Sequence, residues 1–552
     1  MDPVIVVGAG PVGLALSLAL ARHGVPSVVF DAGDGEVEPR AARTCVLRPD
    51  TAAQVAQVFA LGGARWAAWR IERRRQPVRR VELDADTSPV HLQQYALERS
   101  LRAALERESL ARIVTGARLD ELEQDGRGVA AHTRGPDGTW WRGSYLVGCD
   151  GARSTVRKLL GVRFPGRTSV ERHAVAALRV ELPWDGEALL HREVPGRGDE
   201  AVARPLPNGV WRLDWLLPPR GELVTPEELL DRIRGTLTAW CGEVPPYELL
   251  DTGVYTAHQR LARRWRAGRV FLAGDAARLL GALGTQPVDE GLRDAANLAW
   301  KLALCWHRRA PEELLDSYGA ERRGAVGARL RALDQALPLV RGSGGLRTLL
   351  PGGSRGRLDL LTDGHLGRGP LGAPPRYESS PPAPDEYTVP GAVEVGTAPG
   401  APVVDVPVTA LDGTRERLWQ RLGRGLLVLL VAPGTQVWDS RHWLSAGLMP
   451  QLAAVVERLP PAAELLVAES YPGAAAHTVL VIRPDGHLAA ALPGARTDEL
   501  RACVEAVRGA VARGPAGDGK GDEGGEGGEK RGTGEDATGP GTGRSGRPAD
   551  RP

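Results

Sequence analysis

The chain is poor in cysteine and lacks any clustering of it: Cys45, Cys149, Cys241, Cys305 and Cys503 are scattered through 552 residues. That spacing excludes a zinc-binding cysteine cluster and a Cys-x-x-Cys redox pair. An odd, dispersed set suits a reducing compartment, so a cytoplasmic location is expected. No apolar run approaches the roughly 18 residues that span a bilayer. The opening MDPVIVVGAG has neither the basic stretch nor the cleavage site of a secretory signal. No membrane partner is expected. An excess of one charge is lacking too: 70 Lys and Arg stand against 68 Asp and Glu, a net +2, so no global field draws nucleic acid. The basic run Arg70–Arg80 stands alone and reads as a solvated strand or loop. No metal site is assigned.

What is present is ordinary globular material, 42% hydrophobic and 25% charged, enough to bury large cores. At roughly 100–200 residues per domain, the length suggests three or four domains. Val4–Val7 reads as a buried strand. Leu14–His23 reads as a helix with Leu14, Leu18 and Ala21 on one face, and Val28–Phe30 as a second strand. This opening predicts a parallel sheet with right-handed crossovers. Residues 90–108 read as helical, and Leu146–Cys149 as a strand. From 172 to 260 the pattern alternates: Trp211, Leu213 and Trp215 share one face, Arg212 and Asp214 the other, as in a half-buried strand. This block reads as a mostly antiparallel sheet, its two Trp as core rather than pocket lining. Val270–Ala273 is a further strand, followed by a loop and a helix over 291–307. Gly and Pro dominate 340–395, a long connection. Within 396–511, Gly425–Val431, Arg441–Arg458, Glu464–Ala468, the hairpin Thr478–Arg483 with His487–Ala491, and Thr497–Val511 follow the thioredoxin-like order. Residues 512–552 carry Gly and charge with almost no apolar side chains, and disorder is expected there.

One motif carries chemistry by itself. Gly8-Ala9-Gly10-Pro11-Val12-Gly13 lies between a predicted strand and a predicted helix. Gly8 permits the turn, Gly10 lets backbone approach a pyrophosphate, and Gly13 lets helix and strand pack closely. The helix N-terminus offers free N–H groups to phosphate. Asp31, at the end of the second strand, can accept hydrogen bonds from a ribose. This pattern binds a dinucleotide without separating NAD from FAD.

Two further segments resemble known motifs. Cys149-Asp150-Gly151-Ala152-Arg153-Ser154-Thr155-Val156-Arg157 is similar to the DG motif of flavoprotein hydroxylases, and Phe271-Leu272-Ala273-Gly274-Asp275-Ala276-Ala277 to their GD motif. Taken bottom-up, each Asp could instead cap a helix. Pro39-Arg40-Ala41 and Leu92-Gln93-Gln94-Tyr95 resemble the segments that give an Arg and a Gln to FAD. Arg40 is the first choice for the Arg, Arg43 the second, and Gln94 the choice for the Gln. Asp294–Ala303 resembles the helix behind the flavin, much of it core stripe, with an N-terminus directed at the ring.

Up to about residue 511 the chain resembles the group A aromatic hydroxylases of the phenol hydroxylase and chlorophenol monooxygenase type. Within these it is most similar to the polyketide hydroxylases of Streptomyces spore-pigment and type II polyketide clusters, through Ala273–Gly291, Leu361–Pro370 and the C-terminal unit. The resemblance implies an α/β fold: a Rossmann-like FAD-binding domain over 1–171 and 261–375, an inserted mostly antiparallel β-sheet substrate domain over 172–260, a linker at 376–395 and a thioredoxin-like domain without CxxC over 396–511. It implies FAD as cofactor held by Gly8, Gly10, Gly13, Asp31, Arg40, Gln94, Asp150, Gly151, Gly274, Asp275 and Gln286. It implies NADPH or NADH and dioxygen as co-substrates, hydroxylation of an aromatic polyketide through a flavin hydroperoxide, and allows a homodimer. It leaves open another flavin oxidoreductase on this fold (epoxidase, Baeyer–Villiger-type or quinone-forming) or a non-catalytic flavin-fold member of a biosynthetic complex.

The sequence departs from the family where the flavin ring should lie. Most members read GDAAH, a proline pair, then GGQGMN. Here Arg278 replaces the His, Gly281 and Ala282 the prolines, and Thr285-Gln286-Pro287-Val288-Asp289-Glu290 the last motif. Asp289 is expected to cap the helix and to bring negative charge near the flavin, lowering its potential. No catalytic base is assigned; His91, His191, His258 and Tyr255 are candidates by residue type alone.

Overall fold

The computed structural model describes all residues except 135–137, 197, 219–223, 282–285, 342–352, 378–379, 381–390, 435–447, 460–462 and 510–552. The expectation of disorder over 512–552 therefore lies outside the described residues. Residues Met1–Ala512 form one compact unit.

Val4–Val7 is fully apolar and lies at the centre of a six-stranded sheet. It pairs in parallel with Ser27–Phe30 on one side and Tyr145–Gly148 on the other. Ala111–Val114 and Val270–Leu272 extend the sheet in parallel, and Arg266–Ala267 closes one edge antiparallel. Strands buried on both faces need continuous apolar runs, and Val4, Ile5, Val6, Leu146 and Val147 supply them. The first helix, Pro11–Arg22, and the long helix Pro287–Trp306 cover this sheet together. The long helix begins earlier than 291 because Pro287 occupies its first turn, where a missing N–H costs nothing.

Residues 90–108 are not one helix. Val90–Gln93 is a strand and the helix runs over Gln94–Leu105. Val90, His91 and Leu92 pair antiparallel with Leu47, Val46 and Cys45, and this pairing overrides local helical preference.

The eight-stranded sheet is antiparallel except where Glu187–Arg192 runs parallel to Ala68–Arg73. Its strands come from beyond 172–260: the hairpin Ala68–Arg73 with Gln76–Glu82 forms one end, and Arg278–Leu280 the other. The basic run thus lies in an edge hairpin. Arg70 and Arg80 pair with Glu187 at 2.9 Å, while Arg73 and Arg74 pair with Glu193 at 2.5 and 2.8 Å, so much of its charge is neutralised locally. Trp211, Leu213 and Trp215 pack in the core between this sheet and the helix Pro226–Cys241, with the Trp215 indole donating to Thr236 at 3.0 Å.

The C-terminal sheet runs Arg415–Arg417, Pro407–Ala410, Ala463–Ala468, Leu426–Val431, Thr478–Ile482, Leu488–Pro493. Leu426–Val431 is parallel to Ala463–Ala468 and antiparallel to Thr478–Ile482. Alternate side chains of this strand face opposite ways. Leu426, Val428 and Leu430 join the large core that includes the first sheet, whereas Leu427, Leu429 and Val431 face a second core with Val406 and Leu418. The helix expected over Arg441–Arg458 is seen as Leu448–Glu457, its first part lying outside the described residues. All five cysteines are unpaired, and no described helix is long and apolar enough to cross a membrane.

Candidate active site

Gly8 has φ +107°, and a Cβ there would lie 2.6 Å from the Cys149 carbonyl oxygen. A Cβ on Gly13 would lie 2.0 Å from the Gly8 oxygen. Protein atoms explain both glycines. At Gly10 a Cβ would meet nothing within 4 Å, so the protein does not require glycine there. An approaching ligand does. Gly10 is the N-cap of the first helix and caps nothing with a side chain, which leaves first-turn N–H groups for an anion. Asp31 sits beyond this cradle, accepting from Arg102 Nη2 at 2.6 Å and from the Gly33 N–H at 3.1 Å.

The DG segment is tied to the cradle and to the GD segment. One Asp150 oxygen accepts the Thr155 and Val156 N–H groups at 2.6 and 3.1 Å, the helix-capping role open from sequence. Its other oxygen, Oδ1, is buried without a hydrogen-bond partner among the described residues. Arg157 donates to the Ala276 carbonyl at 2.8 Å, locking the two motifs together. Gly151 adopts φ +76° in the turn between. Gly274 donates its N–H to Asp294 at 3.1 Å. The Asp275 carboxylate is half exposed in a recess, and burial raises its pKa while Arg278 and Arg43 oppose the rise.

Of the two arginine candidates, the structure brings Arg43 to Gln94: its Nε donates to Oε1 at 3.2 Å, and the Gln94 N–H to the Arg43 carbonyl at 2.9 Å. Arg40 is half exposed and lies 3.5 Å from Asp251. Gln286 is the N-cap of the long helix, its Nε2 3.4 Å from the His365 carbonyl and its Oε1 buried without a partner among the described residues. Ala282 and Thr285 lie outside the described residues.

The expectation for Asp289 is not met. It does not cap the helix; its oxygens accept the Arg48 N–H at 2.8 Å and Arg48 Nε at 2.7 Å, with Arg293 at 3.3 Å. Glu290 is held by Arg48, Arg322 and Arg329, and Asp294 by Arg278 and Arg322 at 3.1 and 2.8 Å. A carboxylate surrounded by guanidinium groups exports little field. Arg278, fully buried, has Nε and Nη1 without hydrogen-bond partners among the described residues. The segment Leu361–Pro370 packs on this network: a Cβ at Gly367 would lie 2.9 Å from Arg48 Cγ and 3.3 Å from Gln286 Nε2.

Arg212 and Asp214, read from alternation as a solvated face, are instead largely buried. Asp214 accepts from Arg212 Nε and Nη2 at 3.0 and 2.6 Å and from Arg204 at 3.0 Å. Burial would raise its pKa, but the two guanidinium groups outweigh that and hold it at about 2. Arg212 also donates to Thr44, next to Arg43, at 2.9 Å, and Arg204 lies 3.3 Å from His365. This face of the large sheet therefore joins the Arg43–Gln94 segment and the Gln286 segment. Tyr255 lies beside it, stacked on His173 with ring centroids 5.1 Å apart. Burial, then Asp214, raises its pKa to about 12. Sequence reasoning missed this wall; opposite charges two apart, with Arg204 cross-strand from Arg212, were the available signal.

The histidine candidates are otherwise engaged. His91 bonds the Pro205 carbonyl and Thr44 Oγ1, both at 2.8 Å, and burial, then Arg204, holds its pKa near 3. His191 bonds the Arg74 carbonyl at 2.5 Å and accepts from Trp240 at 2.7 Å. His258 is exposed, 3.2 Å from Thr168. Asp120, Glu121 and His132 could together hold a metal, but Arg134 already donates to Asp120 at 2.6 Å.

A strand–Gly–helix cradle, an open position at Gly10, and atoms at Asp150 and Arg278 without hydrogen-bond partners among the described residues define a dinucleotide-binding site, and they fit FAD. The sequence profile described as an FAD binding domain matches residues 1–332, and the chain belongs to this FAD-binding family. Rifampicin monooxygenase of Streptomyces venezuelae is 35% identical over 347 residues, 58% of this chain and 68% of that one. The 3-(3-hydroxy-phenyl)propionate/3-hydroxycinnamic acid hydroxylase of Mycobacterium sp. (strain JLS) is 33% identical, the match covering 58% of this chain and 57% of that relative; the chain matches little more than half of its length. Among solved structures, aklavinone-11 hydroxylase in complex with FAD and aklavinone is similar with a TM-score of 0.68 at 25% identity, covering 92% of this chain and 98% of that one.

Proposed function

We propose that the protein hydroxylates an oxygen-substituted aromatic molecule, a polycyclic polyketide, with NAD(P)H and dioxygen as co-substrates. The observation that carries this reading is the polar wall of Arg204, Arg212, Asp214 and Tyr255, which adjoins the segments that would hold FAD. When bound, FAD would supply the activation of dioxygen at the expense of a reduced nicotinamide. The chain's own residues bind and orient the substrate. Asp214 holds two guanidinium groups in place, and their remaining N–H groups suit phenol or quinone oxygens. Tyr255, with its pKa near 12, stays protonated and serves as a donor rather than a base. Its ring, stacked on His173, offers a flat partner to an aromatic substrate. Gly8, Gly10, Gly13, Asp31, Arg43, Gln94, Asp150 and Asp275 are the residues we assign to FAD, with Arg43 preferred to Arg40. The polyketide class is supported by the aklavinone hydroxylase likeness.

The test is direct. The purified protein should show a bound-flavin absorbance spectrum and oxidise NADPH or NADH faster in the presence of a hydroxylated anthraquinone, with one oxygen atom gained by the product. Bound flavin with no stimulated oxidation by any polyphenolic substrate would remove the hydroxylase reading. Arg212→Ala should raise KM at least tenfold with a smaller change in kcat, the sign of lost substrate binding.

A further inference from the structure

A second cavity, of about 210 Å³, lies between the C-terminal ends of the first and long helices and the C-terminal domain. Its charged lining is all of one sign: Arg22, Arg309, Arg424 and Arg508, beside His23 and His307, with no Asp or Glu among the described lining residues. Elsewhere arginines are mostly paired, yet the guanidinium groups of Arg22, Arg309 and Arg424 make no ion pair or hydrogen bond among the described residues. Arg508 is anchored, donating to the Arg309 carbonyl at 2.7 Å and to Glu505 at 2.8 Å. The floor is apolar, formed by Trp300, Leu304, Leu426, Val504 and Val507. The buried Trp300 indole N–H has no acceptor among the described residues.

The electrostatics agree with this geometry. Burial lowers the pKa of Arg22, Arg424 lowers it further, and Glu108, outside the lining, only partly offsets them. Burial, then Arg22 and His307, holds His23 near 4, so it is neutral. Like charges kept close without an acid opposite them disfavour their own charged forms, and a bound anion relieves that cost. The size agrees as well. A dry apolar cavity of about 150 Å³ accepts benzene, so this one holds a ring with a carboxylate added. Guanidinium groups bind carboxylates through paired hydrogen bonds.

We propose that this cleft binds a small aromatic carboxylate, at a site separate from that for FAD. The first helix has 12 residues, so at 1.5 Å per residue its cationic end stands about 18 Å from the cradle at its other end. The proposal does not depend on the reaction proposed above.

Calorimetric titration of the FAD-loaded full chain with sodium benzoate tests it, with benzamide and inorganic phosphate as controls. Benzoate should bind saturably and at least tenfold more tightly than either control. Arg22→Glu and Arg424→Glu should each weaken it at least tenfold, and Arg424 is exposed, so its reversal leaves folding intact. Val504→Trp, which fills the cavity and keeps its charges, should abolish binding without altering the flavin spectrum. Benzoate binding that survives both charge reversals unchanged belongs to the active site and overturns the proposal. So does phosphate or benzamide binding as tightly as benzoate, or no saturable binding at 10 mM-scale concentrations, roughly the weakest range in which a specific site is useful.

Discussion

Among the described residues Arg278 has no hydrogen-bond partner for two of its guanidinium nitrogens, although it is fully buried. Orphaned buried donors cost about 1–3 kcal/mol each, so they persist where a ligand completes them. Arg278 Nη1 lies 3.9 Å from Asp275 Oδ1 and opposes the burial that raises the Asp275 pKa. Arg278→Met should leave Asp294 with Arg322 and so remain folded. Without the cation, Asp275 protonates at higher pH, and FAD affinity of the variant should fall as pH drops from 8 to 5.5 while wild type changes less. Flavin fluorescence titration reads this, and parallel curves would refute the role. Asp214 allows a second residue-scale prediction. Its native pKa of about 2 is below the unfolded value of about 3.9, so its contribution is present above that value and lost as pH falls towards 2. Asp214→Asn leaves Arg204 and Arg212 uncompensated and should cost about 3 kcal/mol in urea unfolding at pH 7. The variant should also lose part of the acid slope.

The long helix Pro287–Trp306 shows what local pattern conveys and what it does not. Its apolar stripe predicts a helix, and the strand–Gly–helix opening was likewise legible because its strand, turn and helix are consecutive in sequence. Asp289 was expected to cap this helix, and Glu290, Asp294 and Lys301 were given no partner from sequence. They are fully or almost fully buried, because partners on other segments meet them: Arg48 pairs with Asp289 and Glu290, Arg322 with Glu290 and Asp294, and Glu321 with Lys301. No periodicity encodes such pairing. Lys301 Nζ donates to Asn297 Oδ1 at 2.9 Å and to Glu321 at 2.6 Å, and Arg483 bonds Glu321 at 2.6 and 2.9 Å. Glu321→Gln should therefore destabilise strongly, by about 3–5 kcal/mol. Lys301→Met should be nearly neutral or stabilising. Burial, partly opposed by Glu321, lowers the Lys301 pKa to about 8, below about 10.4 unfolded. Its penalty is thus full below pH 8 and fades as pH rises towards 10.4. Melting temperatures of wild type and Lys301→Met should converge over that window; a constant gap would contradict it.

At the scale of the whole molecule, the C-terminal domain is built into the flavin side rather than appended to it. Leu426, Val428 and Leu430 share one core with Val4–Val7 and the long helix. Arg483 bonds Glu321, and Tyr377 stacks on His487 at 4.2 Å. Four of the C-terminal sheet's six strands were readable from sequence, but this docking was not, since each strand face is apolar whichever neighbour covers it. Contacts this dense make unfolding cooperative, so the chain Met1–Ala512 should give one calorimetric transition and retain the FAD content and melting temperature of the full chain. A chain ending at residue 395 should fare differently. It exposes the apolar face that Leu426, Val428 and Leu430 cover and takes from Glu321 its bidentate Arg483 partner, leaving the buried carboxylate with Lys301. Such a chain should purify without FAD or aggregate. If instead it bound FAD and melted as cooperatively as the intact protein, the two parts would be energetically independent, and the buried ion network between them would contribute nothing to holding the flavin site.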